Sequence, residues 1–130
     1  MNDERRAARE RALELLYEAQ AKGATVADVV AELPVAPDPY AVTLAVGVDV
    51  AREELDGPIG ANLKAGWKLE RLSVVDHTLL RIGVWELVHQ PDLPVAVIIS
   101  EAVTLAKQFS GDEAGRFDNG VLGTIAAEVR

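Results

Sequence analysis

Apolar residues recur along this chain at three- and four-residue intervals, and the breaks between them fall where helices would end. From Glu4 to Lys22 there is no Gly or Pro, and the good helix formers Ala, Leu, Glu and Arg predominate. Gly23 stands where such a helix would stop. Thr25 is placed to cap a short second helix through Val26, Val29, Val30 and Leu33, which the three prolines from Pro34 to Pro39 end. A third helix is expected from Asp38, with Pro39 in its first turn, through Val42, Val46, Val50 and Leu55 to Gly57. Gly57 to Gly66 reads as a loop or a short helix.

Ser73 can cap the next helix, whose Val75, Leu79, Leu80, Ile82, Val84, Trp85, Leu87 and Val88 cover nearly its whole circumference, so it should be buried on most sides. After the Gln90-to-Pro94 connection, Ile98, Ala102, Leu105, Ala106 and Phe109 again keep helical spacing. A last helix follows Ser110-Gly111-Asp112, with Phe117, Val121, Leu122, Ile125 and Val129 on its apolar side. The β-branched run Val95 to Ile99 raises a strand alternative. It continues unbroken into a helical pattern through Lys107, longer than strands usually are, so a helix is the better reading. The expectation is one all-α domain of six or seven helices over residues 1–130, without repeats or a flexible linker.

Composition narrows the chemistry. The 130 residues carry 13 Lys+Arg against 21 Asp+Glu, a net charge of −8, with no cysteine. Disulfides, thiolate zinc sites and cysteine nucleophiles are thereby excluded, and the lack of Cys is compatible with a reducing, cytoplasmic setting. The charged start, Met1-Asn2-Asp3-Glu4-Arg5, is unlike a secretory signal, and no apolar run approaches the roughly 20 residues of a membrane span. No phosphate-binding glycine loop, metalloprotease motif, nucleophile elbow or calcium loop is present. His77 and His89 lie about three helical turns apart, too far to share a metal, and read as surface or helix-end residues. Glu53, Glu54 and Asp56 read as a solvated helix face, and Asn119-Gly120 as a place where helices pack closely. The chain is therefore expected to be non-enzymatic, with no cofactor and no metal.

Bulk acidity disfavours nucleic acid as a partner, but the charge is unevenly placed. Residues 1–11 hold Arg5, Arg6, Arg9 and Arg11 against three acids, leaving −9 on the remainder. On a helical projection, Arg5 and Arg9 fall in or beside the apolar arc of Ala8, Ala12, Leu15, Leu16 and Ala19. A core-facing arginine is costly, so the first turns are expected to project beyond the body with their guanidinium groups in solvent. Arg6 and Tyr17 share one flank of this helix. Two readings stay open: a small surface for phosphates and unpaired RNA bases, or an ordinary solvated face of weak ion pairs.

Four segments then stand out in order: Arg5 to Gln20 (Arg-Arg-Ala-Ala-Arg-Glu-Arg-Ala-Leu-Glu-Leu-Leu-Tyr-Glu-Ala-Gln), Leu80 to Leu87 (Leu-Arg-Ile-Gly-Val-Trp-Glu-Leu), Pro94 with Ile99 to Lys107, and Phe117-Asp118-Asn119-Gly120-Val121-Leu122. Together they resemble the NusB family of bacterial transcription antitermination factors over nearly the whole chain. The resemblance implies an all-helical, non-enzymatic protein that binds the boxA element of ribosomal RNA transcripts, as single-stranded RNA, together with the ribosomal protein NusE. It further implies a place in the RNA polymerase antitermination complex and support of ribosomal RNA maturation. Carried over by position, Arg5, Arg6, Arg9 and Arg11 are RNA contacts. Tyr17 and Asp76 match the surface facing NusE and RNA, and Glu113 and Phe117 match the start of the last helix on the RNA-facing side. Asp118 departs from the family's usual Val and would place an added charge near that surface.

The fold also resembles the RNA-binding portion of certain ribosomal RNA cytosine methyltransferases, whose catalytic domain has no counterpart within these residues. A third reading is a protein-interaction module without RNA. In a homodimer that buried the arginine helix, RNA and the second subunit would compete for one surface.

Overall fold

A computed structural model describes residues 2–130, with side chains from Glu4 onward. Met1 and the side chains of Asn2 and Asp3, which enter the local charge balance above, lie outside the described residues. Among the described residues, seven helices run in order: α1 (Asn2–Lys22), α2 (Val26–Ala31), α3 (Pro39–Val50), α4 (Arg52–Ala61), α5 (Val74–His89), α6 (Val95–Ser110) and α7 (Asp112–Val129). A short 3-10 turn, Leu69–Arg71, precedes α5, and there is no strand among the described residues. None of these helices is long and apolar enough to cross a membrane.

The predicted start signals operate as local hydrogen bonds. Thr25 accepts from the Asp28 amide, Asp38 from the Tyr40 and Ala41 amides, and Ser73 from the Asp76 amide, each satisfying helix donors that would otherwise lack partners. Asp49 on α3 adds a cap across elements by accepting from the Val26 amide at 3.0 Å. Between α6 and α7, Gly111 takes φ 103°, a backbone region that side chains disfavour, and so ends one helix and begins the next without a linker.

Two expectations are corrected. The single helix from Asp38 to Gly57 is two, broken at Ala51, and the second continues through Pro58 to Ala61. Pro58 supplies no amide hydrogen, but its carbonyl accepts from Asn62 Nδ2 at 2.8 Å, which closes this short helix. Nor does Gly120 ease close packing: it is exposed, and a Cβ there would meet nothing within 4 Å. The tight crossings are at Gly47, where a Cβ would come within 2.5 Å of the Trp85 ring, and at Gly83, within 2.8 Å of Leu122.

α5 is the centre of the bundle, packing against α1, α3, α4, α6 and α7. Its Leu79, Leu80, Ile82, Val84 and Leu87 are almost completely buried, as its apolar circumference requires. α7 lies along α5 in the same direction. Leu122 meets Gly83 midway, and Arg130 donates to the Leu87, Gln90 and Leu93 carbonyls at 2.8–3.0 Å near the end of α5. A guanidinium there satisfies carbonyls that the helix leaves unpaired.

Candidate nucleic-acid interface

The arginine-rich start of α1 does not project from the body. It is docked against α3, α5 and α6 by its own guanidinium groups. Arg9 is 2% exposed, so the expectation that it lies in solvent is corrected. Its Nε donates to both Glu86 oxygens, at 2.9 and 3.1 Å, and its Nη1 to Glu101 Oε1 at 3.4 Å. Glu86 is itself buried and also accepts a short hydrogen bond from the Tyr40 hydroxyl. Burial first, and then the Glu86 hydrogen bond, push that hydroxyl well above the usual tyrosine range, so it stays a donor. A buried arginine is tolerable here because two carboxylates and a phenol complete its surroundings.

The other arginines are arranged around this strut. Arg6 forks onto Glu101, Nη2 to Oε2 at 2.6 Å and Nε to Oε1 at 3.2 Å, with its side chain 41% exposed. The Arg5 guanidinium lies 3.9 Å above the centre of the Tyr40 ring and is exposed. Arg11 pairs with Glu14 at 3.2 Å on the surface. One face of a forked cation is thus used for docking while its outer edge remains at the surface. The cue in the sequence is the acids: Glu86 within the apolar stretch from Ile82 to Val88 and Glu101 on the buried side of α6 both call for a cation.

A second feature lies at the start of α5 and α7. An open groove of about 510 Å³ is lined by Lys64, Trp67, Arg71, Asp76, Glu113 and Phe117, among others. Three residues singled out from the sequence, Asp76, Glu113 and Phe117, are therefore brought together. Tyr17 is exposed on α1 and does not line this groove. Trp67, which sequence reading missed, is 52% exposed with its ring 6.5 Å from that of Phe117. An exposed Trp between Lys64 and Arg71 is the available signal, since nothing in the core accounts for it. Arg116 adjoins the same surface in a neighbouring depression that also contains Lys64, Glu113 and Phe117.

Asp118 is not on this surface. Its side chain is fully buried, and neither carboxylate oxygen has a partner. Burial, and secondarily the Asp76 carboxylate, push it up to about 8. The expected added surface charge is thus a buried carboxyl.

Asp56 also departs from expectation. Instead of standing on a solvated face beside exposed Glu53 and Glu54, it accepts from Arg81 Nε and Nη2 at 2.8 and 2.7 Å and meets His77 Nε2 at 2.7 Å. Burial would raise this carboxyl, but the Arg81 and His77 hydrogen bonds outweigh it and hold it below the usual range. His77 is therefore a partly buried partner, whereas His89 is exposed at the helix end, against Trp85. No group of three or more metal-type ligands occurs among the described residues.

Comparison with known proteins agrees with this architecture. The chain is 32% identical to NusB of T. maritima, with a TM-score of 0.82 over 95% of this chain and 91% of that one. A chain in the crystal structure of a plectonemic RNA supercoil matches at 31% identity and TM-score 0.79, covering 95% and 94%. A chain from the crystal structure of antitermination factors NusB and NusE in complex with double-stranded RNA matches at 29% identity and TM-score 0.81, covering 98% and 99%. The NusB family model matches residues 6–127, nearly the full length, and the chain belongs to the NusB family.

Proposed function

We propose that this protein is a transcription antitermination factor that binds boxA RNA of ribosomal RNA transcripts together with ribosomal protein NusE, within the RNA polymerase antitermination complex. The observation that carries this reading is the end-to-end likeness to a chain from the complex of NusB and NusE with double-stranded RNA, since fold and length both correspond. On this chain, the outer edges of Arg5, Arg6 and Arg11 hold phosphates. Trp67 and Phe117 offer ring faces to unpaired bases. Arg9 is a positioning residue, fixing the helix that presents its neighbours. Tyr17, Asp76 and Glu113 face the partner, and the acidic remainder of the chain complements a basic ribosomal protein.

The test is RNA binding by fluorescence anisotropy, with boxA RNA, a scrambled strand and a duplex, each with and without NusE. Preference for boxA, tightened by NusE, is expected. Arg5→Glu with Arg11→Glu should weaken binding at least tenfold while circular dichroism stays unchanged. Equal binding of boxA and scrambled RNA by the wild type would refute the boxA assignment. Full binding by the double variant would refute the arginine site. Binding of NusE with no RNA in any complex would favour a protein-interaction module instead. In light scattering over a concentration series, a dimer that RNA dissociates would indicate that the second subunit covers the arginine helix.

A further inference from the structure

Arg5 is held by a different means from its neighbours. Arg6 and Arg11 use the edges of their guanidinium groups, forking onto Glu101 and pairing with Glu14. Arg5 is held by its face: its central guanidinium carbon lies 3.9 Å over the centre of the Tyr40 ring, and the residue is exposed. The negative face of the ring attracts a cation placed there. Because the guanidinium is planar and delocalised, the side turned away from Tyr40 is a flat surface facing solvent.

The ring beneath is fixed from both ends. Tyr40 stands in the first turn of α3, where its amide donates to Asp38 Oδ1 at 2.7 Å. Its hydroxyl donates to Glu86, which the buried Arg9 grips with hydrogen bonds of 2.9 and 3.1 Å. Burial, and then the Glu86 hydrogen bond, raise that hydroxyl far above its usual range, so the tether keeps its proton. The ring is also partly buried against the core. A long arginine side chain loses rotamer freedom when it binds a ligand, and a fixed ring under it removes part of that loss in advance.

The shape of this arrangement selects what it accepts. A phosphate bonds to the edge of a guanidinium and gains nothing from a ring on its face. A flat π-system stacks on the face, and unpaired bases stack on arginine planes as they do on aromatic rings. A base inside a duplex has both faces covered by its neighbours, so an unpaired one is required. Neither Arg5 nor Tyr40 lines the groove that holds Trp67 and Phe117, so this is a second place where a base can rest.

Given the RNA binding proposed above, on which this rests, we propose that Arg5 and Tyr40 form a stacking shelf for one unpaired nucleobase, with Arg5 as the contact and Tyr40 as the positioning residue beneath it. Base, guanidinium and phenol ring form successive layers, and the guanidinium edge remains for the adjoining phosphate.

The test is fluorescence anisotropy on the full chain, with boxA RNA and a set of boxA strands each made abasic at one position. Arg5→Lys keeps the charge and loses the plane. It should weaken binding of the intact strand by about fivefold or more, with the slope of log affinity against log salt unchanged. On the strand lacking the stacked base, that loss should vanish. Tyr40→Leu should show a similar loss that vanishes on the same abasic strand, whereas a merely structural role would weaken every strand alike. Binding of the intact strand by Arg5→Lys within about twofold of wild type would overturn the shelf and leave Arg5 a phosphate contact. So would an equal loss on every abasic strand, which marks an edge contact alone. Should Tyr40→Leu not fold, the Arg5→Lys series decides by itself. Wild type that binds no RNA strand would refute the antitermination reading and the shelf together, while wild-type binding matched by Arg5→Lys refutes the shelf alone.

Discussion

Arg9→Met distinguishes an arginine that touches RNA from one that holds the interface in place. The substitution keeps an unbranched apolar stem and removes only the guanidinium. In the wild type that group is enclosed, with side-chain exposures of 3% for Arg9, 1% for Glu86 and 7% for Glu101. Glu101 keeps Arg6 after the change, but Glu86 keeps only the Tyr40 hydroxyl. Breaking a buried pair by removing one partner typically costs about 3–5 kcal/mol, and the surviving contacts place this case near 3. Against a usual domain stability of about 5–15 kcal/mol this is a large fraction, readable as a lower midpoint in urea unfolding. Arg9→Met with Glu86→Gln should recover much of the loss, because the stranded charge is gone and Tyr40 retains an acceptor. RNA affinity, measured where the variant is fully folded, should change little. Unchanged stability with strongly weakened RNA binding would refute the buried strut.

Three further outcomes follow from individual contacts. Gly47→Ala should destabilise the fold by about 1–3 kcal/mol in urea unfolding, despite the better helix propensity of Ala, because the rigid Trp85 ring occupies the space at 2.5 Å. Asp56→Asn should cost about 2 kcal/mol at pH 7, the scale of lost charged hydrogen bonds. Because the folded carboxyl is depressed, this difference should shrink as pH falls below about 3.9, as urea titrations over pH 2.5–7 would show. Trp67→Ala should leave the unfolding midpoint nearly unchanged while lowering boxA affinity by about 1–3 kcal/mol, roughly five- to 150-fold in anisotropy, if a base stacks on the exposed ring.

The helices were legible where local chemistry acts alone. Thr25, Asp38 and Ser73 each carry a cap oxygen that can satisfy an orphan amide whatever surrounds it, and α5 announces its burial by the lack of a polar face. The break at Ala51 was not legible: Val42, Val46, Val50 and Leu55 recur at roughly helical spacing with no Pro between them, and the bend depends on where α3 and α4 must pack. At the interface, the projection placed Arg9 correctly in the apolar arc, but the inference from cost went the wrong way. Cost excludes an unpaired buried guanidinium, not a paired one, and its partners lie 77 and 92 residues away. Asp118 was misread for the related reason that its helix face is set by the Gly83 crossing, which one sequence does not reveal. Trp67 stood between predicted elements, where periodicity says nothing about exposure.

The division of labour among the arginines also bounds how this surface can bind RNA. Arg9 is enclosed, Arg6 shares its guanidinium with Glu101, and Arg11 shares with Glu14, so phosphates compete with carboxylates already in place. Arg5, seated on the Tyr40 ring, presents its charge at the surface. Neutralisation of two or three phosphates is the most this end can supply. For a single strand the salt dependence is about −0.7 per phosphate, giving a slope near −2 in log affinity against log salt. Affinity beyond that comes from stacking, which survives salt better than phosphate contacts, and from the protein partner. Anisotropy titrations between 50 and 300 mM salt should therefore give a slope of roughly −2 for the isolated protein. A slope of −4 or steeper would require Lys64, Arg71 and Arg116 as phosphate contacts, making the groove, and not the start of α1, the principal electrostatic site.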